Sequence, residues 1–471
     1  MTHPTLVWLR RDLRLGDQPA FHEALKQGGP VIPLFILSPD MEALGAAAKW
    51  RLGESLAALS KDLSTIGSTL ILRRGDPAGV LDALIEETGA KTVIWSRLYS
   101  AAQIERDAAI KADLQARGLS AISVNASLLF EPWTAQTGQG GMFKVYSPFW
   151  RAVRDRHIDA PLPTITQLPP PQTWPASDAL QDWALAAQMN RGAAVLAKHS
   201  QPGEGAALDK LSTFLETKIA AYKAERDFLD RCATSTQSEH LSYGEISPRT
   251  LWHAGQSAMA RGAAGAEHFL KEVVWREFAW HLMYHSPHIA TRNWRDSWDA
   301  FPWRADNDDA MAWKQGRTGV PLVDAAMREI YVTGRMHNRA RMLVASYLTK
   351  HLLTDWRVGQ RWFADCLADW DEASNAMGWQ WVAGSGPDAA PYFRIFNPDL
   401  QAEKFDPNGQ YRARWLRATG PKASPDALDF FDAVPRSWGF SPDMGPAQPA
   451  ISLSAGRARA LNALQSTKAP Q

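Results

Sequence analysis

Residues 316–353 read GRTGVPLVDAAMREIYVTGRMHNRARMLVASYLTKHLL, residues 354–384 read TDWRVGQRWFADCLADWDEASNAMGWQWVAG, and residues 388–401 read DAAPYFRIFNPDLQ. Apolar side chains recur at helical spacing through Leu322, Val323, Ala326 and Met327, and again through Met342, Leu343, Tyr347 and Leu348. That periodicity predicts a packed helical core. Threaded through it are Asn338, Arg339, Arg341, Asp369, Asp371 and Asn375, with Trp356, Trp379 and Trp381 among them. Buried polar groups are costly unless something partners them. The stretch therefore reads as helices folded around a ligand that supplies partners.

Outward from this stretch, helical patterns run over 208–231, 247–261, 266–285, 319–333, 338–353 and 360–369. Ser247-Pro248 is an N-cap followed by proline at the first helical position. The tail beyond about residue 435 is expected to be loosely held. The N-terminal third reads differently. Short β-rich apolar runs at 5–9, 31–37, 70–72, 92–95 and 121–124 alternate with helical patterns at 49–66, 77–88 and 101–117. Strand–helix alternation predicts a doubly wound parallel sheet. RRDLRLGD follows the first strand in place of G-x-G-x-x-G, which excludes the dinucleotide fingerprint of a dehydrogenase. The crevice at the strand ends remains open to another small ligand. Pro161, Pro163, Pro169, Pro170, Pro171 and Pro175 make 159–176 an extended linker. The expected organisation is an α/β domain over 1–130, a linker over 131–205 and an all-helical domain over 206–471.

The 471 residues carry 51 basic and 50 acidic side chains, a formal charge of +1, so any nucleic-acid surface must come from segregated charge. Residues 334–361 show it: Arg335, Arg339, Arg341, Lys350, Arg357 and Arg361 stand against Asp355 alone. Residues 1–130 balance 14 basic against 14 acidic groups. Two cysteines, Cys232 and Cys366, build neither a disulfide framework nor a four-cysteine cluster. Charge comes too early for a signal peptide and no apolar run spans a membrane, so a soluble, cytoplasmic protein is expected. The 21 tryptophans offer large stacking surfaces, for core or for ligand.

The run MHNRARM…DWR…DWDEASNAMGWQW…APYFRIFNP resembles the photolyase/cryptochrome flavoproteins, and within them the cyclobutane-pyrimidine-dimer photolyases. The resemblance covers roughly residues 5–415. It implies FAD as cofactor, UV-damaged DNA as partner, and a monomer that repairs dimers by light-driven electron transfer from reduced FAD. A cryptochrome-type blue-light receptor without repair is the alternative; Asn375 favours repair, since plant and animal cryptochromes carry Asp or Cys there. A flavin-free helical DNA-binding protein is a third reading.

The resemblance also implies roles. Tyr222 and the hydroxyl loop Thr234, Ser235, Thr236 and Ser238 would grip the FAD diphosphate, although Thr236-Gln237 departs from the basic-then-aliphatic pair common in relatives. A hydroxyl-rich turn ahead of a helix presents donors to an anion even without the resemblance. Arg276 would lie near the cofactor, Arg341 would pair with Asp369 below the flavin, Asp371 would hydrogen-bond the ring, and Asn375 would sit beside N5. Read from spacing alone, Glu272 and Arg276 form a surface salt bridge and the two aspartates are caps. On the lesion side, Glu272 and Asn338 would orient the bases, Met342 would touch them, and Trp275 and Trp381 would wall them. Arg226, Arg339 and Gln401 would meet the DNA backbone. Trp379, Trp356 and Trp303 match a chain that feeds electrons to the flavin, with Trp313 and Trp362 as other carriers. His337 reads as structural. The resemblance allows a second, antenna chromophore of open identity, with Arg51 as a contact. Gly16, Asp17 and Gln18, with Ala102 and Gln103, depart from the folate-binding pattern.

Overall fold

The computed structural model describes residues 3–388 and 393–468; residues 389–392, of which 390–392 open the APYFRIFNP signature, lie outside the described residues. Five parallel strands, β1 (Thr5–Leu9), β2 (Val31–Leu37), β3 (Ile71–Arg74), β4 (Thr92–Ser96) and β5 (Ser120–Val124), form one sheet in the order β3-β2-β1-β4-β5. Every residue of β1, β2 and β4 is buried, as expected where helices cover both faces of a parallel sheet. Pro33 is tolerated in the central β2 because it pairs with Val7 of β1, one residue before pairing to β3 begins at Leu34. Helix Pro77–Thr88 matches its expected bounds because its ends are written locally. Asp76 accepts from the Ala78 and Gly79 N–H groups, Pro77 opens the helix, and Gly89 closes it in the left-handed region.

The prolines of 159–176 do prevent regular structure, but the segment is a strap on the sheet domain. The Ile165 N–H donates to Leu15 O at 3.1 Å, the Val31 N–H to Pro169 O at 2.8 Å, and Ile165 and Leu168 are buried. RRDLRLGD is likewise committed to packing. Arg10, Asp12, Arg14 and Gln18 are buried; Arg14 reaches the carbonyl of Gly244 at 2.9 Å, and the Leu13 N–H donates to Tyr243 O at 3.1 Å. The loop that ends β1 thus docks the sheet onto the helical half.

The expected helix over 208–231 is two helices, Glu204–Thr217 and Tyr222–Glu225. The turn between them presses onto Gly265, where a Cβ would come within 2.1 Å of Ile219 O. Ala266–His285 stands as expected, and Ser247 caps Pro248–Ala260 by accepting from the Thr250 N–H. The helix expected over 338–353 is α-helical only through Asn338–Ser346 and continues as a π turn, Tyr347–His351. The one expected over 360–369 begins earlier, at Trp356, because Asp355 caps it. The tail is not loose. Helix Leu453–Lys468 packs on the π turn, with Ala460 fully buried and Arg459 donating to His351 O. Among the described residues no helix is long and apolar enough to cross a membrane.

Candidate functional site

A cavity of about 1070 Å³ opens among the helices Ser238–Tyr243, Ala266–His285, Asn338–Ser346, Glu372–Ala383 and Gln410–Leu416. Tyr222, Arg226, Thr234, Ser235, Thr236, Ser238, Glu272, Trp275, Arg276, Asn338, Arg341, Met342, Asp369, Asp371, Asn375, Trp379 and Trp381 all line it. Arg339, Gln401, Trp303 and Trp356 do not.

One end is built by residues 234–238. Thr236 sits in the left-handed region (φ +53°), which turns the chain so that successive residues of the loop face the cavity. Among the described residues no protein acceptor takes the hydroxyls of Thr234, Ser235 or Ser238. Gln237 is buried; its Nε2 donates to Ala207 O at 3.0 Å while its Oε1 is left without a partner.

Carboxylates and an amide converge deeper in the cavity. Arg341 donates from Nη2 to Asp369 Oδ2 at 2.7 Å and from Nε to Met336 O at 2.8 Å, so the expected pair exists. Asp369 Oδ1 is buried with no protein partner. Asp371 caps helix Glu372–Ala383, accepting from the Ser374 N–H at 2.7 Å, and its Oδ2 accepts from Trp280 Nε1 at 3.1 Å. Asn375 Nδ2 donates to Gln360 O at 3.4 Å, which points the amide by way of the neighbouring helix. His337 also lines the cavity; its Nδ1 accepts from the Arg339 N–H at 3.1 Å, its Nε2 is buried with no hydrogen-bond partner among the described residues, and burial pushes its pKa down to about 4, so it is neutral at pH 7.

At the mouth, the surface pair Glu272–Arg276 expected from i,i+4 spacing does not form. Arg276 turns inward to Ser127 O at 2.7 Å, because helix Ala266–His285 packs against residues 127–130 there. Glu272 instead pairs with Arg226, which is mostly buried, and lies 3.8 Å from His268. Trp275 stacks flat on Tyr146, with centroids 3.7 Å apart and planes 8° from parallel. Arg339 stands outside the cavity, bound to Asp227 at 2.6 Å and lying over Phe405.

Trp379 alone of the three expected electron carriers reaches the cavity. Trp356 is fully buried, its Nε1 donating to Asn293 Oδ1 at 2.9 Å, and Trp303 packs against Phe301 and Trp298 with centroids at 4.4 and 6.2 Å. Trp313 touches the Trp379 ring at 6.2 Å, whereas Trp362 stacks on Tyr331. Gly359 exists for this packing: a Cβ there would fall 2.0 Å from the Trp379 ring.

The basic run 334–361 is not one exposed face. Lys350 is fully buried, bonded to Ala383 O and 3.6 Å from the Phe393 ring centre, and burial depresses its pKa. Arg335, Arg339, Arg341 and Arg357 each hold a carboxylate. Arg51, expected as an antenna contact, is also buried and makes a bidentate pair with Glu245 at 2.9 and 2.6 Å. Sequence reasoning missed Tyr411, Arg414 and Trp415, which line the cavity from helix Gln410–Leu416. Nothing in their spacing marks them. Arg335, within TGRMHNR, also reaches it and was visible only as part of a charge run.

These groups fit FAD. An orphaned buried carboxylate oxygen at Asp369 and an oriented amide at Asn375 suit a polar ring edge, and a row of hydroxyls suits a diphosphate. The DNA photolyase family matches residues 5–171, and the FAD binding domain of DNA photolyase matches residues 269–464. A deoxyribodipyrimidine photo-lyase of Agrobacterium fabrum is 47% identical over 88% of this chain and 87% of its own length. Cryptochrome-1 of Arabidopsis thaliana is 36% identical over 88% of this chain and 62% of its own. The crystal structure of a bacterial class III photolyase from Agrobacterium tumefaciens superposes with a TM-score of 0.91 at 44% identity, covering 99% of this chain and 98% of that one. FAD is the cofactor of this chain. The chain belongs to the photolyase/cryptochrome family of flavoproteins.

Proposed function

We propose that the protein is a photolyase that repairs cyclobutane pyrimidine dimers in DNA. The observation that supports this reading is that Asn375 and Asp369, which we assign to the flavin, share one cavity with Glu272, Trp275, Asn338, Met342 and Trp381, which we assign to the lesion. Donor and acceptor would then occupy a single space with no protein wall between them. When bound in its reduced form, FAD would supply the light-driven electron transfer. The chain's own residues do the rest. Trp275, held flat by Tyr146, and Trp381 offer stacking faces to an everted dinucleotide. Eversion costs a few kcal/mol, least for a damaged pair, and each base stacked on an aromatic ring returns about 1–3 kcal/mol. Glu272 and Asn338 orient the bases, while Arg226, Arg339 and Gln401 lie toward the phosphates. Trp379 begins the path that reduces oxidised flavin, continued through Trp356 and Trp303.

The test is irradiation of dimer-containing oligothymidine with near-UV or blue light in the presence of the reduced protein. Recovery of thymine absorbance is expected. Reduced, flavin-loaded protein that restores none would assign it to the receptor branch represented by cryptochrome-1.

A further inference from the structure

We propose that Arg335 supplies the positive charge that meets the FAD diphosphate in this chain. The inference rests on FAD being the cofactor and not on the repair reading. The hydroxyl loop from Thr234 to Ser238 carries no basic residue, so it can donate hydrogen bonds to a diphosphate but cannot balance its charge. A doubly charged group placed in a partly closed cavity without a cation would be heavily penalised.

Arg335 stands where that charge is missing. It lines the cavity, and its Nε lies 3.0 Å from Oε1 of Glu239, the second residue of the helix that follows the loop. Glu239 is fully buried and also lies 3.7 Å from Arg51. It therefore sets Arg335 by an ion pair on the Nε side of the guanidinium, a contact without hydrogen-bond geometry at Oε1. Among the described residues the two terminal amino groups of Arg335 donate to no protein acceptor, and its side chain keeps a quarter of its exposure. A planar fork held by its Nε presents two parallel donors outward, the arrangement that grips phosphate oxygens in pairs. Glu239 is thus a positioning residue and Arg335 a cofactor-binding one. Lys218 and Arg231 also line the cavity, but no carboxylate as deeply buried fixes either: Arg231 holds the exposed Glu225 at 2.9 Å.

The experiment measures release of FAD from the purified holoprotein in the dark, by the fluorescence of flavin freed on dilution, over a range of salt concentrations. Arg335→Gln is expected to release FAD at least tenfold faster and to flatten the salt dependence, and Arg335→Lys, which keeps the charge but loses the fork, is expected to recover part of the loss. Arg335→Gln leaves the buried Glu239 only the longer contact to Arg51 and the hydroxyl of Ser200, a loss that can destabilise the fold by itself. The double variant Arg335→Gln/Glu239→Gln removes both charges together, so it should keep the circular dichroism and thermal midpoint of the flavin-free protein and still lose FAD. A folded double variant that retains FAD within twofold of the parent, with the same salt slope, overturns the proposal. So does an Arg335→Lys variant as leaky as Arg335→Gln. Dimer repair is not read in any arm, so failure here leaves the photolyase reading standing.

Discussion

Arg226 and Glu272 neutralise each other at the cavity mouth, Nη1 to Oε1, with the arginine side chain 11% exposed and the glutamate 31%. In the proposed function one belongs to the DNA backbone and the other to the damaged bases. Their pairing means that docking must exchange a carboxylate for a phosphate on Arg226 and thereby release Glu272 toward the lesion.

Glu272→Ala should therefore have two opposite effects. Repair per absorbed photon falls, with flavin content unchanged, because the lesion loses its hydrogen-bond partner. Binding to undamaged duplex at low salt tightens several-fold, because Arg226 is freed. Quantum yield and a filter-binding titration measure the two, and an unchanged repair yield would remove Glu272 from the lesion site.

Removing the other partner has a different signature. Arg226→Ala should weaken binding to dimer-containing and intact DNA alike and lower the slope of log K against log salt by about 1, the loss of one phosphate contact. A slope equal to the parent's would place Arg226 away from the backbone.

Trp379→Phe should abolish photoreduction of oxidised flavin while sparing repair by enzyme reduced beforehand. The ring lines the cavity and contacts Phe363 and Trp313 with centroids at 5.0 and 6.2 Å, so phenylalanine keeps most of the packing. Flavin absorbance under illumination and a repair assay with dithionite-reduced protein separate the outcomes. Loss of both activities would contradict the assignment.

Gly359→Ala tests the packing under that ring. The added Cβ would lie 2.0 Å from the indole, so helix Trp356–Cys366 or Trp379 must move. Overpacking of this kind costs about 1–3 kcal/mol. A urea midpoint that does not fall would show that the two elements are not in contact.

Glu245 ties the halves together through Arg51, all three groups of Arg51, Glu245 and His240 being fully buried. Despite desolvation, the hydrogen bonds from His240 and Arg51 hold the Glu245 carboxyl down to about 2, from an ordinary 4.5. A depressed carboxylate contributes stability that is complete above pH 4.5 and is lost as pH falls through about 2. Glu245→Gln should destabilise the protein at pH 7 by about 3–5 kcal/mol, since it breaks a buried ion pair and leaves Arg51 only the longer contact to Glu239 at 3.7 Å. It should also flatten the acid limb of the stability curve between pH 4.5 and 2. Urea unfolding across that range measures both; an acid limb unchanged in the variant would exclude Glu245 as its source.

What could be read without coordinates was local or densely patterned. Short β-rich apolar runs marked the strands, because a parallel sheet covered on both faces buries every residue of its inner strands, and helical periodicity marked the long helices, because each buries one face. Polar residues embedded among apolar ones in 316–401 marked the cavity: Asn338, Arg341, Asp369, Asp371 and Asn375 line it, whereas Arg339 is taken up by Asp227 outside it. The direction of individual side chains was decided only in three dimensions. Arg276 turns inward and Glu272 meets Arg226, since both choices depend on what the neighbouring helix buries rather than on spacing along their own. Arg51, expected to contact an antenna chromophore, and Lys350, counted into a basic surface, lie in the interior because partners distant in the chain, Glu245 and the Ala383 carbonyl, compensate their burial. The tail, featureless in composition, becomes a packed helix only because the π turn offers it a face.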